Sequence, residues 1–408
     1  MEDCIIGPNV SVFSADSHFE SAPDRWVHRV PKQYRDRAPR RLKLPNGKDI
    51  IVEEGCGITF RGTNQFAGKS VEEFSPVGLD FDNAIGAGSP EQRLKEQDAD
   101  GIDAELIFAT EARNTAIKDK DTFLGILRGF NDYFIEEYCG VAPDRLVGVA
   151  VLPDIGVQED IAEMKRCKEK GFNAVRLHTF PSGKDYPTPE DDKFWAAAID
   201  LDMPLTIHTS FPKQYRGRDV FLMKYPKEPE GEERPMDFVE RVARHGIHHC
   251  GAIEAVQLIL SGVFDRLPKL QIYWAENNIG WIPYFYQQMD QAYKVSCSWA
   301  ERLLGLKRLS RLPSEYLKDH AHWGFSTIPS ESSCATMLAW TESCGRRTFP
   351  TSSLAGLILY RSWRSRWPGC PRTRNARCWL AMPSSFFTST VNTIYKYKRL
   401  NRKKEGLW

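Results

Sequence analysis

Four short segments of the sequence end in side chains that could bind a metal ion or a charged substrate. The first, SADSHFE at residues 14–20, follows the apolar run VSVF, and the others are VRLH, LTIHTS and IYWAE. Imidazole and carboxylate groups suit Zn²⁺ and other borderline divalent ions. Such an ion polarises a substrate oxygen or activates bound water, so the pattern predicts metal-assisted chemistry. The candidate residues are Asp16, His18, Arg176, His178, His208 and Glu276.

Each of these residues also has an ordinary structural explanation. Asp16 could cap a turn while His18 makes one hydrogen bond, and His208 could be a packed histidine of the core. Glu276 could cap the helix that starts near Asn277, because carboxylates favour helix N-termini. The conjunction of four strand ends that all finish in polar, chemically competent side chains favours a common site.

The elements that must position these residues form a regular alternation. From residue 89 onward, helical stretches of ten to twenty residues alternate with short apolar runs rich in β-branched residues. This alternation predicts βα units on a parallel sheet. With VSVFSAD as the first strand, the sequence contains seven strand candidates, one short of a (β/α)₈ barrel, in which the active site lies at the carboxyl ends of the strands.

The predicted domain organisation follows from this barrel. Residues 1–335 form the barrel, and residues 20–88, which contain prolines and glycines without a clear period, form an insertion that covers its mouth. Within the barrel, Thr188 as N-cap and Pro189 as first helical residue predict the start of a helix.

Composition and charge narrow the class of protein. The chain has 408 residues, 55 basic and 54 acidic side chains and a net charge of +1, so no overall field favours nucleic acid or an anionic membrane. We expect a small-molecule substrate. The ten cysteines include no C-x-x-C pair, which favours reduced thiols and a cytoplasmic location. No segment approaches the roughly 20 apolar residues of a membrane span.

A series of motifs resembles the second amidohydrolase family, which contains aminocarboxymuconate-semialdehyde and resorcylate decarboxylases. The motifs, in order over roughly residues 11–330, are SADSHFESAPDRW, GIDAELIFAT, DRLVGVAVLP, GFNAVRLH, MPLTIH and YWAENNIGWIPYF. The resemblance implies a metal-dependent (β/α)₈ barrel. Such an enzyme acts on a small aromatic or unsaturated acid, or on an ester or lactone. It either hydrolyses a bond or removes a carboxyl group, without a redox cofactor. The resemblance also suggests a homo-oligomer.

The resemblance assigns roles to individual residues. Asp16 and His18 match the metal pair of the first strand, and His208 matches the metal histidine of the fifth strand. The expected ion is Zn²⁺, with Mn²⁺ as the alternative. Asp16 stands where well-understood members carry His or Glu, and Glu276 stands where the decarboxylases carry a proton-transferring histidine. A carboxylate can do that work in a buried position. Arg176 and His178 are expected to hold a substrate carboxylate.

The family's last ligand, an aspartate in a segment resembling W-x-x-D-F-P-H, has no counterpart in this chain. Residues 348–351 read TFPT, which a one-nucleotide shift of reading frame can turn into Asp-Phe-Pro-His. We therefore interpret residues 336–408 as a frameshifted, irregular basic segment that replaces strand eight and its helix. Two alternatives stay open: a divergent tail, and a non-catalytic barrel whose remaining ligands are relics.

Overall fold

The computed structural model describes residues 13–54, 56–58, 78–82, 85–109, 116–211, 250–277 and 281–324. The strands in these residues are β1 (Phe13–Phe19), β2 (Arg40–Lys43), β3 (Asp49–Glu53), β4 (Cys56–Ile58), β5 (Ala104–Ala109), β6 (Leu146–Val151), β7 (Ala174–Leu177), β8 (Leu205–His208), β9 (Ile272–Ala275) and β10 (Ala321–Trp323). The α-helices are α1 (Pro90–Asp100), α2 (Lys120–Tyr133), α3 (Val157–Lys170), α4 (Asp192–Asp200), α5 (Ala252–Leu260), α6 (Val263–Arg266), α7 (Ile282–Leu304) and α8 (Pro313–His320).

Seven of the strands form one sheet in the order β1-β5-β6-β7-β8-β9-β10. The pairs β1 with β5, β5 with β6, β8 with β9 and β9 with β10 are parallel. From β5 onward, an α-helix lies between each strand and the next along the chain, which is the connection that parallel strands require. The predicted α/β class is thereby confirmed. The missing eighth strand and the segment 336–408 fall outside the described residues.

Of the described residues, those from 13 to 153 and from 162 to 175 belong to the first of two compact units. An aromatic cluster forms part of its core. The ring of Phe19, at the end of β1, lies 4.9 Å from that of Phe134 and 4.1 Å from that of Tyr138. Trp26 meets Phe130 edge to face at 5.3 Å. Such ring contacts stabilise a core beyond the area they bury, so β1 is firmly anchored next to its polar residues.

A three-stranded antiparallel sheet, β2-β3-β4, lies within the segment for which the sequence shows no clear period. It packs over a small core formed by Ala22, Ile51, Leu79, Phe81 and Ala87. Strand β2 is largely exposed, and its charged side chains form ion pairs. Arg41 of β2 lies 2.9 Å from Asp49 and 2.6 Å from Asp82, and these carboxylates raise its pKa. That this segment covers the mouth of the barrel stays a prediction.

The second compact unit contains the described residues within 154–161 and 176–324. Trp274 of β9 stacks on Trp323 of β10 at 4.7 Å. The predicted helix start at Thr188 and Pro189 is wrong, because α4 begins at Asp192. Asp191 explains the difference: its carboxylate accepts hydrogen bonds from the backbone N–H and hydroxyl of Thr188, at 2.6 and 3.0 Å, which fixes those residues in a turn before the helix.

Among the described residues, none of the helices combines the length and the apolar character that crossing a membrane requires.

Candidate functional site

Asp16 and His18 both lie within β1, whereas the predicted first strand, VSVFSAD, ends at Asp16. The strand continues because its parallel pairing with β5 extends through His18, opposite Phe108, and on to Phe19, opposite Ala109. Residues two apart point to the same face of a strand. Oδ1 of Asp16 lies 3.5 Å from Nε2 of His18. The register of β1 shifts between Ser14 and Ser17, and such irregularities often redirect side chains beside active sites.

His208 and Glu276 form a second close pair at the ends of β8 and β9. His208 is the last residue of β8 and pairs with Ala275, and Glu276 follows directly. Nε2 of His208 lies 3.6 Å from Oε2 of Glu276, and each residue is only 8% exposed. Because neighbouring parallel strands end at the same edge of a sheet, their terminal side chains can meet in this way.

Asp16, His18 and His208 each offer one ligand atom, and these atoms all lie within 4.8 Å of one another. Ligand atoms this close together could bind one divalent ion jointly. One carboxylate and two imidazoles form a donor set suited to Zn²⁺ or Mn²⁺. Asp16 and His208 are buried and His18 is half-buried, as in a site that limits access of water.

Arg176 and His178 lie at β7, the strand that precedes β8 along the chain. Arg176 is the third residue of β7, with a half-buried side chain, and His178 follows the strand. Nδ1 of His178 lies 3.1 Å from Oδ2 of Asp154, a residue that the sequence analysis missed. The signal for Asp154 was present, since it is the polar residue that closes LVGVAVLPD. A carboxylate beside Nδ1 favours one orientation of the imidazole ring.

Three residues at these strand ends have a left-handed backbone conformation. The φ angles are 52° at Asp154, 59° at Thr209 and 55° at Glu276. This conformation costs an ordinary L-residue ~1–2 kcal/mol, and for the β-branched Thr209 it is a true outlier. Strained residues persist where surrounding contacts enforce them, and they cluster at functional sites.

Two buried polar residues that the sequence analysis also missed support these turns. Oε1 of Glu254, in α5, accepts a hydrogen bond from the backbone N–H of Phe211 at 2.7 Å, and burial raises the pKa of Glu254. Asn277 donates from its side-chain amide to the carbonyls of Thr209 and Ala275. No spacing rule identifies such residues, because their partners are backbone atoms of distant segments.

The remaining histidines have other roles or lie elsewhere. His245, His248 and His249, interpreted from the sequence as surface or packing residues, fall outside the described residues. His320 stacks on Phe264 at 4.3 Å, and its Nδ1 lies 2.8 Å from the carbonyl oxygen of Leu270. His322 Nε2 lies 2.8 Å from Oε1 of Gln271. These contacts are those of packed histidines.

Comparison with known proteins identifies the family of the chain. The family model Amidohydro_2, described as amidohydrolase, matches residues 24–330. The gamma-resorcylate decarboxylase of Rhizobium sp. (strain MTP-10005) is 28% identical over 205 residues, which are 48% of this chain and 58% of that protein. The decarboxylase orsB of Emericella nidulans is 28% identical over 175 residues, covering 42% of this chain and 49% of the relative. The chain thus spans about half the length of these curated relatives.

Solved structures agree on the fold. An amidohydrolase from Mycobacterium avium subsp. paratuberculosis K-10 has a TM-score of 0.59 at 16% identity, covering 81% of this chain and 85% of that one. The 5-carboxyvanillate decarboxylase of Novosphingobium aromaticivorans, complexed with manganese and 4-hydroxy-3-methoxy-5-nitrobenzoic acid, has a TM-score of 0.52 at 18% identity, covering 80% and 81% of the two chains. Because the fold agrees and the family model extends over most of the chain, this protein belongs to the amidohydrolase family.

Proposed function

We propose that this chain is a metal-dependent enzyme that removes the carboxyl group from a small aromatic or unsaturated acid without a redox cofactor. The observation that carries the proposal is the convergence of ligand atoms from Asp16, His18 and His208. The relatives named as decarboxylases support the choice of reaction. A bound divalent ion would polarise an oxygen of the substrate. We propose Asp16, His18 and His208 as its protein ligands, with Zn²⁺ or Mn²⁺ as the ion.

The other candidate residues supply binding and proton transfer. Arg176 would bind the substrate carboxylate through its guanidinium, which matches a carboxylate in bidentate geometry. His178, oriented by Asp154, would contact the same end of the substrate. Protonated Glu276 would deliver a proton from Oε2 to the ring carbon that bears the carboxylate. The carbon–carbon bond then breaks, its electron pair returns to the ring, and CO₂ leaves. Glu276 finally regains a proton from solvent.

Hydrolysis of an ester or lactone is a second candidate, favoured by Glu276 itself. A carboxylate 3.6 Å from an imidazole can act as general base toward a water molecule. Glu276 would then take a proton from water as the hydroxide adds to the carbonyl carbon, and return it to the leaving oxygen.

A panel of substrates separates the two reactions. The wild-type chain, Glu276→Gln and the control Glu169→Gln would be loaded with Mn²⁺ or Zn²⁺ and incubated with hydroxybenzoic acids and with lactones. Glu169 is an exposed glutamate of α3. Release of CO₂ by the wild type and the control, but not by Glu276→Gln, supports decarboxylation. Ring opening with the same dependence supports hydrolysis, and inactivity toward both substrate classes contradicts the enzymatic proposal.

We also propose a domain organisation, a cellular location and an oligomeric state for the chain. Residues 1–335 would form the catalytic barrel with 20–88 as an insertion, and a frameshift near residues 330–338 would have replaced the last strand by 336–408. The end of the family match at residue 330 supports this. We place the protein in the cytoplasm, as a homo-oligomer. Sequencing the transcript across codons 325–390 tests the frameshift: a restored frame should encode W-x-x-D-F-P-H, whereas an unchanged frame contradicts it.

A further inference from the structure

Asn277 has every polar group engaged at the end of β9. The residue is fully buried. Its Nδ2 donates hydrogen bonds to the carbonyl of Thr209 at 2.9 Å and to the carbonyl of Ala275 at 2.7 Å. Its Oδ1 accepts from the backbone N–H of Gly251, directly before α5. One side chain therefore joins the turn after β8, the turn after β9 and the start of α5.

The backbone of Asn277 extends this connection to β10. Its N–H donates to the carbonyl of Gly324 at 2.8 Å, and its carbonyl accepts from Nε1 of Trp281 at 2.8 Å. Gly251 fits closely against the same residue, because a Cβ added there would lie 3.0 Å from Oδ1 of Asn277 and 2.2 Å from Trp274. Asn277 is thus fixed from several sides and can fix other segments in turn.

The two turns that Asn277 joins are the strained ones beside His208 and Glu276. Thr209 directly follows His208 with φ 59°, and Glu276 directly precedes Asn277 with φ 55°. The carbonyl of Ala275 also accepts from the N–H of Thr209 at 2.9 Å. A β-branched residue adopts a left-handed conformation only where surrounding contacts compensate. The amide of Asn277 supplies two such contacts, one to each turn.

We infer that Asn277 is a positioning residue that holds His208 and Glu276 opposite one another. The inference rests on the proposed function, because that function gives His208 and Glu276 their roles in the chemistry. If the two turns relaxed to ordinary backbone angles, His208 and Glu276 would leave the geometry that places their side chains 3.6 Å apart. A misplacement of about 1 Å at reacting groups can cost ~100-fold in rate.

Asn277→Ala removes the side-chain bonds, and Asn277→Asp retains the shape and the acceptor for Gly251 while removing both donors. Asn131→Ala is a matched control, since Asn131 is equally buried and its amide donates to the carbonyl of Val151 in β6. The double variant Asn277→Ala/Thr209→Gly tests the mechanism directly. Glycine adopts the left-handed conformation without steric cost. The double variant should therefore recover part of the kcat that Asn277→Ala loses.

We expect both Asn277 variants to lower kcat ~100-fold while KM changes less than ~3-fold, and we expect the double variant to recover part of kcat. Hydrogen exchange, which does not depend on activity, should rise in peptides 205–211 and 272–277 of the Asn277 variants but not of Asn131→Ala. Unchanged exchange in these peptides, or equal loss of kcat in Asn131→Ala, would overturn the inference. If the wild type is inactive but exchange rises as expected, the proposed function fails and Asn277 still holds the turns.

Discussion

At the scale of single residues, the candidate site consists of paired side chains at strand ends. Asp16 lies beside His18, His208 beside Glu276, and His178 beside Asp154. In each pair a carboxylate lies within 3.1 to 3.6 Å of an imidazole nitrogen. A carboxylate this close favours one orientation of the imidazole ring. The imidazoles of the site are therefore held in place before a substrate binds.

The pair of His178 and Asp154 leads to a kinetic prediction. Asp154→Asn replaces the carboxylate beside His178 by a neutral amide, which should hold the ring less firmly in its orientation toward a bound carboxylate. We expect KM for the acid substrate to rise ~10-fold, equivalent to ~1.4 kcal/mol of binding, while kcat changes little. Steady-state kinetics test this, with Asp185→Asn, in the loop before α4, as the control. A fall in kcat at constant KM would instead assign His178 to the chemical step.

The residue types at strand ends could be read from the sequence, whereas their partners could not. The pattern of polar residues after apolar runs identified Asp16, His18, His208 and Glu276 because strand ends have a recognisable sequence signature. Asn277 and Glu254 were missed because each is defined by hydrogen bonds to backbone groups far along the chain. These hydrogen bonds can be recognised only once the folded positions of the turns are known.

At the scale of elements, β5 is fixed to α1 by a buried ion pair. Both Nε and Nη2 of Arg93, in α1, reach Oε2 of Glu105, in β5, at 2.9 and 2.7 Å. Both residues are almost fully buried. Removing one partner from such a pair leaves an uncompensated charge in the core.

We expect Arg93→Met to lower the free energy of unfolding by ~3–5 kcal/mol. The double variant Arg93→Met/Glu105→Leu should recover most of this loss, because no buried charge remains. Urea unfolding followed by circular dichroism measures both. A loss below about 1 kcal/mol in Arg93→Met would mean that water reaches Glu105 and that the pair is less important than its burial indicates.

Element boundaries were the weaker part of the sequence analysis. The expected end of the first strand and the start of α4 were each displaced by three residues, β1 by continued pairing with β5 and α4 by the carboxylate of Asp191. The sheet β2-β3-β4 was missed because its strands are short and β2 is largely exposed. In each case a tertiary contact, or a charge network, overrode the local signal.

At the scale of the whole molecule, the alternation of helices and strands was predictable, because long periodic segments have strong signals. The order of the sheet also follows from the chain order of its strands. The comparisons give the non-catalytic alternative no support, since the characterised relatives are named as decarboxylases.

The stability of the molecule should depend on pH through His322. Burial lowers the pKa of His322 to about 4, below the value near 6.5 that it takes in the unfolded chain. As pH falls below about 6.5, the unfolded state binds a proton that the folded state rejects, so the free energy of unfolding decreases until about pH 4. Between pH 7.5 and 5 the wild type should lose on the order of 2 kcal/mol more than His322→Gln. Equal losses in the two proteins, measured by urea unfolding, would contradict this.

We propose that Asp16, His18 and His208 bind one divalent ion together. The most direct measurement is the metal content of the purified chain after loading with Mn²⁺ or Zn²⁺ and dialysis. We predict about one ion per chain in the wild type and in His28→Ala, a control at a half-exposed histidine paired with Glu137. Asp16→Ala, His18→Ala and His208→Ala should each lose most of the bound ion, because removing a ligand weakens a site sharply. A wild type that retains no ion, or three variants that retain it fully, would contradict the account.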